Sequence, residues 1–425
     1  MNILIIGTGY VGLATGISLA LKGKNVLFVD KNKDKIKQLM SGKLFFYEPE
    51  LQSALEKALS NKGVCFSDTL DEINEKIDLI FICVGTPVLK SGKTNMENIK
   101  QAIYNIKKYF NYDIVIAVKS TINPDDFQFI KNELKSNNFH IVINPEFLRE
   151  GNALNDALNP SRIVIGTEDN YAKNLLNEIY KDFNAPKIFT DPISAILIKY
   201  ASNAFLATKI SFINEIANLS DKLGGNIDDI ALGIGLDPRI GKDFLKAGIG
   251  FGGSCLPKDT KNLVSFSKRA GANISIVEKA YKVNEVQYLV AIEKLKEVLG
   301  NLEGKTVSVF GLAFKGGTDD IRESISIKVI RELQKEGSIV KAHDYIAHKK
   351  AKTILKEIYL SDDVYSVAKD TDALLITTDW KEYKNIDWAK IRNLMRGNLI
   401  IDGRNILDKE LLKRSGFIYK GIGRK

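Results

Sequence analysis

The chain has 425 residues, 44% hydrophobic and 27% charged, the balance of a soluble globular protein of roughly two to three domains. Its net charge is +9, but lysines and acids are interleaved and no nucleic-acid module is present, which sets aside a polynucleotide and leaves a small phosphate ester open. Three sparse cysteines (Cys65, Cys83, Cys255) and three dispersed histidines (His140, His343, His348) argue against a disulfide framework and against a metal site.

No apolar run approaches the ~20 residues of a membrane helix. The first strand begins at residue 2, without room for a secretion signal, so a cytoplasmic location and no membrane partner are expected. Strands are predicted at residues 2–6, 25–29, 79–84, 114–118, 140–143 and 162–165, alternating with helical stretches. Several are apolar without alternation, as in a doubly wound parallel sheet covered on both faces.

Gly7-x-Gly9-x-x-Gly12 follows the first strand and opens a helix, and Asp30 closes the second strand. Such glycines permit a tight turn and close approach to a pyrophosphate, while the acid can bond a ribose hydroxyl. A carboxylate repels a 2′-phosphate, so NAD is expected over NADP, with Lys31, Lys33 and Lys35 weakening that preference. Gly85-Thr86-Pro87, Ser120-Thr121 and Asn144-Pro145-Glu146 each follow a predicted strand. Taken singly each suits a turn or a helix cap; at the carboxyl edge of one parallel sheet they converge on the cofactor side.

Residues 193–223 read as one helix ended by Gly224-Gly225. At 1.5 Å per residue it spans roughly 45 Å, more than a compact domain needs. Its apolar residues keep to no narrow stripe, so most faces should be buried, as in a bridge between domains that also packs on a second subunit. A homodimer is therefore expected, with an ordinary core helix as the alternative. Lys199 and Asn203 lie one turn apart on it, and the apolar flanks of Lys199 imply a buried lysine that needs a partner.

In Gly250-Phe251-Gly252-Gly253-Ser254-Cys255-Leu256-Pro257-Lys258-Asp259, the proline suits the first turn of a helix. Cys255 then stands at a helix N-terminus beside Lys258, where a thiol is activated, with Asp259 four residues on. Cys65 and Cys83 lie in apolar stretches and read as buried and inert. Strand–helix alternation restarts at 306–310 and Gly311, with further strands at 339–342, 373–377 and 399–401, a possible degenerate copy of the opening unit. The expected architecture is α/β: two Rossmann-like doubly wound parallel-sheet domains joined by a long central helix. The expected bounds are 1–190 for NAD binding, 191–295 for the helical dimerisation region with Cys255, and 296–425 for the second Rossmann-like domain.

The ordered segments "IIGTGYVGL", "KSTI", "NPEFLREG", "SRIVIG", "KYASNAFLA", "LDPRIG", "GFGGSCLPKD", "GLAFK", "DDIRES" and "IDGR" resemble the UDP-glucose/GDP-mannose dehydrogenase family over nearly the whole chain. The resemblance implies oxidation of UDP-glucose to UDP-glucuronate by two successive hydride transfers to two NAD+, through a thiohemiacetal and a thioester on cysteine. GDP-mannose or another UDP-hexose is the alternative within the family. "LDPRIG" favours UDP-glucose, and Ser254 stands where N-acetylhexosamine enzymes usually carry His. A 6-phosphogluconate-type dehydrogenase and a non-catalytic nucleotide binder are the readings outside it.

By the same resemblance Cys255 is the nucleophile, Lys199 stabilises oxyanions or moves protons with Asn203 assisting, Asp259 and Thr121 organise water and base, and Glu146 serves thioester hydrolysis. Cofactor contacts carried over are Gly7, Gly9, Tyr10, Val11, Gly12, Asp30, Lys35, Thr86, Thr121, Glu150 and Arg322. Substrate contacts are Glu146, Phe147, Leu148, Arg149, Glu150, Lys199, Asn203, Lys246, Ala247, Gly248, Ile249, Gly250, Phe251, Gly252, Phe314, Lys315 and Arg404. Arg239 is expected to reach the substrate of a neighbouring subunit, and the third domain to bind UDP. The chain departs from the family at Gly316-Gly317, where Pro-Asn is frequent, and a looser loop is expected there.

Overall fold

A computed structural model describes residues 1–71, 73, 75–89, 94–135 and 138–424 of the chain. They form two compact units, Met1–Ser202 and Asn203–Lys425. In the first, β1 (Asn2–Ile6), β2 (Asn25–Val29), β3 (Val64–Ser67), β4 (Leu79–Ile82), β5 (Ile114–Val118), β6 (Phe139–Ile143), β7 (Ile163–Gly166) and β8 (Lys187–Thr190) make one sheet. Their order is β3-β2-β1-β4-β5-β6-β7-β8. Neighbours run parallel except β6 and β7, which meet antiparallel at Ile143 and Gly166. The inner strands are sealed on both faces, with Ile3, Leu4, Ile5, Leu79, Ile80, Phe81 and Ile82 fully buried, which explains their lack of alternation.

The order reverses between β1 and β4, which places a switch-point crevice at their carboxyl ends. Gly7 sits there in a conformation that favours glycine, φ 103°, and a Cβ on it would come within 2.7 Å of the Cys83 carbonyl oxygen.

The second unit repeats the plan with β9 (Thr306–Phe310), β10 (Ile339–His343), β11 (Tyr359–Ser361), β12 (Ala373–Ile376), β13 (Leu399–Asp402) and β14 (Ile418–Gly421). All neighbours are parallel, in the order β11-β10-β9-β12-β13-β14, the order of the first six strands of the first unit. Gly311 after β9 has φ 104°, and Thr378 crowds it as Cys83 crowds Gly7.

The long helix spans Pro192–Leu223. Asp191 caps it by accepting from the Ser194 amide at 2.9 Å, and proline opens it. It stops at Gly224, φ 73°, where the Gly225 amide returns to the Ser220 carbonyl at 2.9 Å. By length and composition this helix could cross a membrane, with mean hydropathy 1.2 over an 18-residue stretch, 44% of it buried in the protein. This differs from the expectation that no apolar run approaches that length, because Lys199, Asn203 and Asn214 punctuate the helix. These interruptions, and further polar residues along the helix, bond to protein: Ser211 Oγ donates to the Ala280 carbonyl, and Asn218 Nδ2 to Gln287 Oε1.

Candidate active site

In the first unit the glycine loop ends at Gly9, which caps the Tyr10–Leu21 helix. The first amides of any helix have no partner within it, and a first turn such as this one, which holds Val11 and Gly12, suits an anion. The three glycines have different physical reasons. A Cβ on Gly12 would lie 2.0 Å from the Gly7 carbonyl oxygen, whereas one on Gly9 would meet nothing within 4 Å. Gly12 therefore serves packing of helix on loop, and Gly9 leaves the mouth of the loop clear. Asp30 Oδ2 accepts from the Thr8 amide and hydroxyl at 2.9 and 2.8 Å, and Oδ1 from the Asn32 amide at 3.0 Å. The carboxylate is thus fixed with lone pairs to spare for ribose hydroxyls. Lys35 lies over the Phe45 ring, 4.8 Å from its centroid.

The clusters after β4 and β5 meet, since Thr86 Oγ1 donates to the Thr121 carbonyl at 2.9 Å. After β6, Glu146 and Lys199 form a sealed pair. Lys199 Nζ reaches the Glu146 carboxylate at 2.8 Å and its carbonyl at 2.7 Å, with side chains 5% and 6% exposed. Glu146 Oε2 also accepts from the Leu148 amide at 2.6 Å. Phe147 stacks under Arg162 and lies near Lys199, its centroid 3.7 and 5.5 Å away. Arg149 pairs with Asp156, and Glu150 is buried.

Beneath this pair is a buried lysine that the sequence reading did not single out. Lys119 Nζ donates to Asn144 Oδ1 at 3.1 Å, and Tyr180 donates to the same oxygen at 2.7 Å. Burial pushes the Lys119 ammonium down to about 8, with Cys83 and Glu146 pulling it up and Lys199 pressing it lower. Burial likewise pushes the Cys83 thiol up to about 12. Cys65, by contrast, is exposed, contrary to expectation, because edge strand β3 turns alternate side chains outward.

In the second unit Cys255 caps the Leu256–Arg269 helix, with Ser254 Oγ 3.5 Å from its sulfur. Asp259 is fully buried, and its amide returns to the Cys255 carbonyl at 2.8 Å. Asn203 Nδ2 donates to Asp259 Oδ2 at 2.6 Å, and Lys258 Nζ to Oδ1 at 2.6 Å. The Lys258 charge is therefore committed to Asp259. The glycines before the cysteine approach the chain itself. A Cβ on Gly252 would stand 2.2 Å from the Glu323 carbonyl oxygen, and one on Gly253 2.7 Å from the Phe314 ring.

A cavity of about 290 Å³ opens beside them. Its walls include Lys246, Ala247, Gly248, Gly250, Phe251, Gly252, Phe314, Lys315 and Arg404, joined by Ile210, Asn214, Phe244, Leu256 and Asp379, which the sequence reading missed. Ile249 is buried, its amide on the Gly403 carbonyl at 3.0 Å. Arg404 ties the walls together, donating from Nε to the Thr377 carbonyl at 2.7 Å and from Nη1 to the Gly250 carbonyl at 2.6 Å. Arg322 forks onto Asp320, and exposed Arg239 onto Asp237. The loop at residues 316 and 317 is anchored at its first glycine. The Gly316 amide donates to Asp379 Oδ1 at 2.8 Å, a bond proline cannot make, and a Cβ there would lie 2.9 Å from the Asp379 carbonyl oxygen.

Known proteins match this chain over its whole length. Residues 1–184 match the NAD binding domain of the UDP-glucose/GDP-mannose dehydrogenase family, 193–286 its central domain and 308–409 its UDP binding domain. The chain is 42% identical over 429 residues to UDP-glucose 6-dehydrogenase TuaD of Bacillus subtilis, covering 100% of this chain and 93% of that one. It is 40% identical over 433 residues to UDP-glucose 6-dehydrogenase of Rickettsia felis, covering 100% and 97%. A UDP-glucose dehydrogenase structure from Pyrobaculum islandicum superimposes with a TM-score of 0.91 at 36% identity, covering 100% and 98%.

Proposed function

This chain belongs to the UDP-glucose/GDP-mannose dehydrogenase family as an NAD-dependent UDP-glucose dehydrogenase, and we propose that it makes UDP-glucuronate through a covalent ester on Cys255. The observation that carries the covalent route is the placement of Cys255 at a helix N-terminus, one turn from a fully buried carboxylate held by Asn203 and Lys258. A simple alcohol dehydrogenase has no use for that thiol. NAD+, one molecule for each of the two oxidations, supplies the hydride acceptor when bound, and the clear mouth at Gly9, the helix amides and the fixed Asp30 carboxylate fit its pyrophosphate and ribose.

In the proposed sequence the C6 hydroxyl proton passes to a base as the carbon loses its hydride, leaving an aldehyde. The Cys255 thiolate then adds to the carbonyl carbon, and the oxygen takes up a proton to give a thiohemiacetal. Loss of the second hydride and of that proton leaves a thioester. Water attacks the thioester carbon, the C–S bond breaks, and the acid leaves with the thiolate restored. Lys199 supports the oxyanions, Asn203 and Asp259 order the water and base with Thr121, and Glu146 takes the proton of the attacking water. The cations of the second-unit cavity suit the substrate diphosphate.

The domain limits at residues 190 and 295, and a homodimer, complete the reading. Phe205, Phe212 and Leu219 recur every seven residues on the long helix and are 66%, 50% and 51% exposed, an apolar stripe suited to a second copy. Light scattering that gives a monomer mass at micromolar concentration contradicts the dimer.

The covalent step is tested on a Glu146→Gln variant mixed with UDP-glucose and NAD+. Intact-mass analysis should find a UDP-sugar ester on Cys255, since hydrolysis is slowed. NADH formation with no mass added to the chain rejects the route.

A further inference from the structure

Among the cations of the second-unit cavity stands one acid. Asp379 shares its wall with Lys246, Lys315 and Arg404. Three positive groups suit a diphosphate, and a carboxylate among them opposes the same ligand. The acid is nevertheless built in. The Gly316 amide holds Oδ1 at 2.8 Å, and Gly316 has no room for a side chain because the Asp379 backbone lies against it. Burial alone raises the Asp379 carboxyl, but Arg404, the Gly316 amide and Lys246 outweigh it and hold the group below the usual carboxylate range. It is therefore ionised at neutral pH.

We propose that Asp379 is a specificity-determining residue that biases the cavity toward a sugar-capped nucleoside diphosphate and against the same nucleotide carrying more charge. The inference rests on the reading of this cavity as the seat of the UDP moiety. A hexose on the terminal phosphate removes one ionisable oxygen, so UDP-glucose carries about two negative charges where UDP carries nearly three and UTP nearly four. Each added charge meets the fixed carboxylate. At short range in a partly wet cavity this repulsion amounts to roughly three-fold in affinity per charge. Without the acid, the three cations reward the most charged nucleotide; with it, the preference moves toward the substrate.

The test uses the full-length enzyme with Asp379→Asn, which keeps an oxygen acceptor for the Gly316 amide, and Asp379→Glu, which keeps the charge. Binding constants are measured for uridine, UDP-glucose, UDP and UTP. For Asp379→Asn we expect unchanged uridine binding and a graded tightening, roughly three-fold larger for UDP than for UDP-glucose and larger again for UTP. The glutamate variant should stay closer to the wild-type ratios. Equal changes for all four ligands, or unaltered ratios, overturn the proposal. If neither the wild-type enzyme nor Asp379→Asn binds UDP while both bind UDP-glucose, the reading of the cavity as the UDP seat falls and the proposal with it.

Discussion

Lys199 grips Glu146 twice, at its carboxylate and at its main-chain carbonyl, within a pocket that seals both side chains from solvent. A buried pair of this kind contributes little net stability, yet removing one partner strands the other. Lys199→Met should destabilise the first unit by about 3–5 kcal/mol and abolish turnover. Adding Glu146→Gln should return much of that stability without returning activity. Thermal melting of both variants checks this, and additive losses refute the coupling.

The glycine loop predicts a clean division of roles. Gly9→Ala meets no protein atom and keeps a negative φ of −66°, so its melting temperature should match wild type while the KM for NAD+ rises several-fold. Gly12→Ala drives a Cβ to 2.0 Å from the Gly7 carbonyl oxygen and should lose stability as well as cofactor binding. Melting with and without NAD+ separates the two, and a destabilised Gly9→Ala contradicts the assignment.

Two buried groups shape stability at alkaline pH with opposite signs. Lys119 falls from 10.5 to about 8 on folding, so between those values the unfolded chain holds the extra proton and stability rises with pH. Cys83 rises from 9.0 to about 12, so above pH 9 the folded chain holds the extra proton and stability falls. Stability should climb from pH 8 to 9, level off, and decline above about 10, where Tyr180, Tyr281, Tyr345, Tyr383 and Tyr419, all raised by burial, add their loss to that of Cys83. Lys119→Met should remove the climb, and Cys83→Ala should make the decline shallower. Denaturant midpoints across this range decide it, and a Lys119→Met variant that still climbs refutes the lysine's part.

Much of this was legible in the sequence, for physical reasons. Inner strands are covered on both faces, so unbroken apolar runs mark them. The four strands left unpredicted, β3, β8, β11 and β14, are the four sheet edges, where Ile188, Phe189 and Tyr359 face solvent and the apolar signal is dilute. The site's motif residues were visible because glycine, proline and a lone lysine in apolar surroundings have few structural excuses. Asp379 and Lys119 were not visible, since their meaning comes from partners distant in sequence.

Asp344 shows the same limit. It follows β10 as Asp30 follows β2, but it is fully buried and accepts from the Leu312, Ala313, Ile346 and Ala347 amides and the Trp380 indole. An acid so occupied is spent on its own loop, which is why the second Rossmann-like unit keeps the topology of a dinucleotide fold without its ribose ligand.

The central claim is the four-electron oxidation through Cys255, and the most direct measurement is NADH formed per UDP-glucose consumed, with the sugar product identified. The account predicts two NADH and one UDP-glucuronate per UDP-glucose for the wild-type enzyme, and no acid from Cys255→Ala although it still binds UDP-glucose. One NADH per sugar from the wild type, or undiminished acid formation by Cys255→Ala, would contradict it.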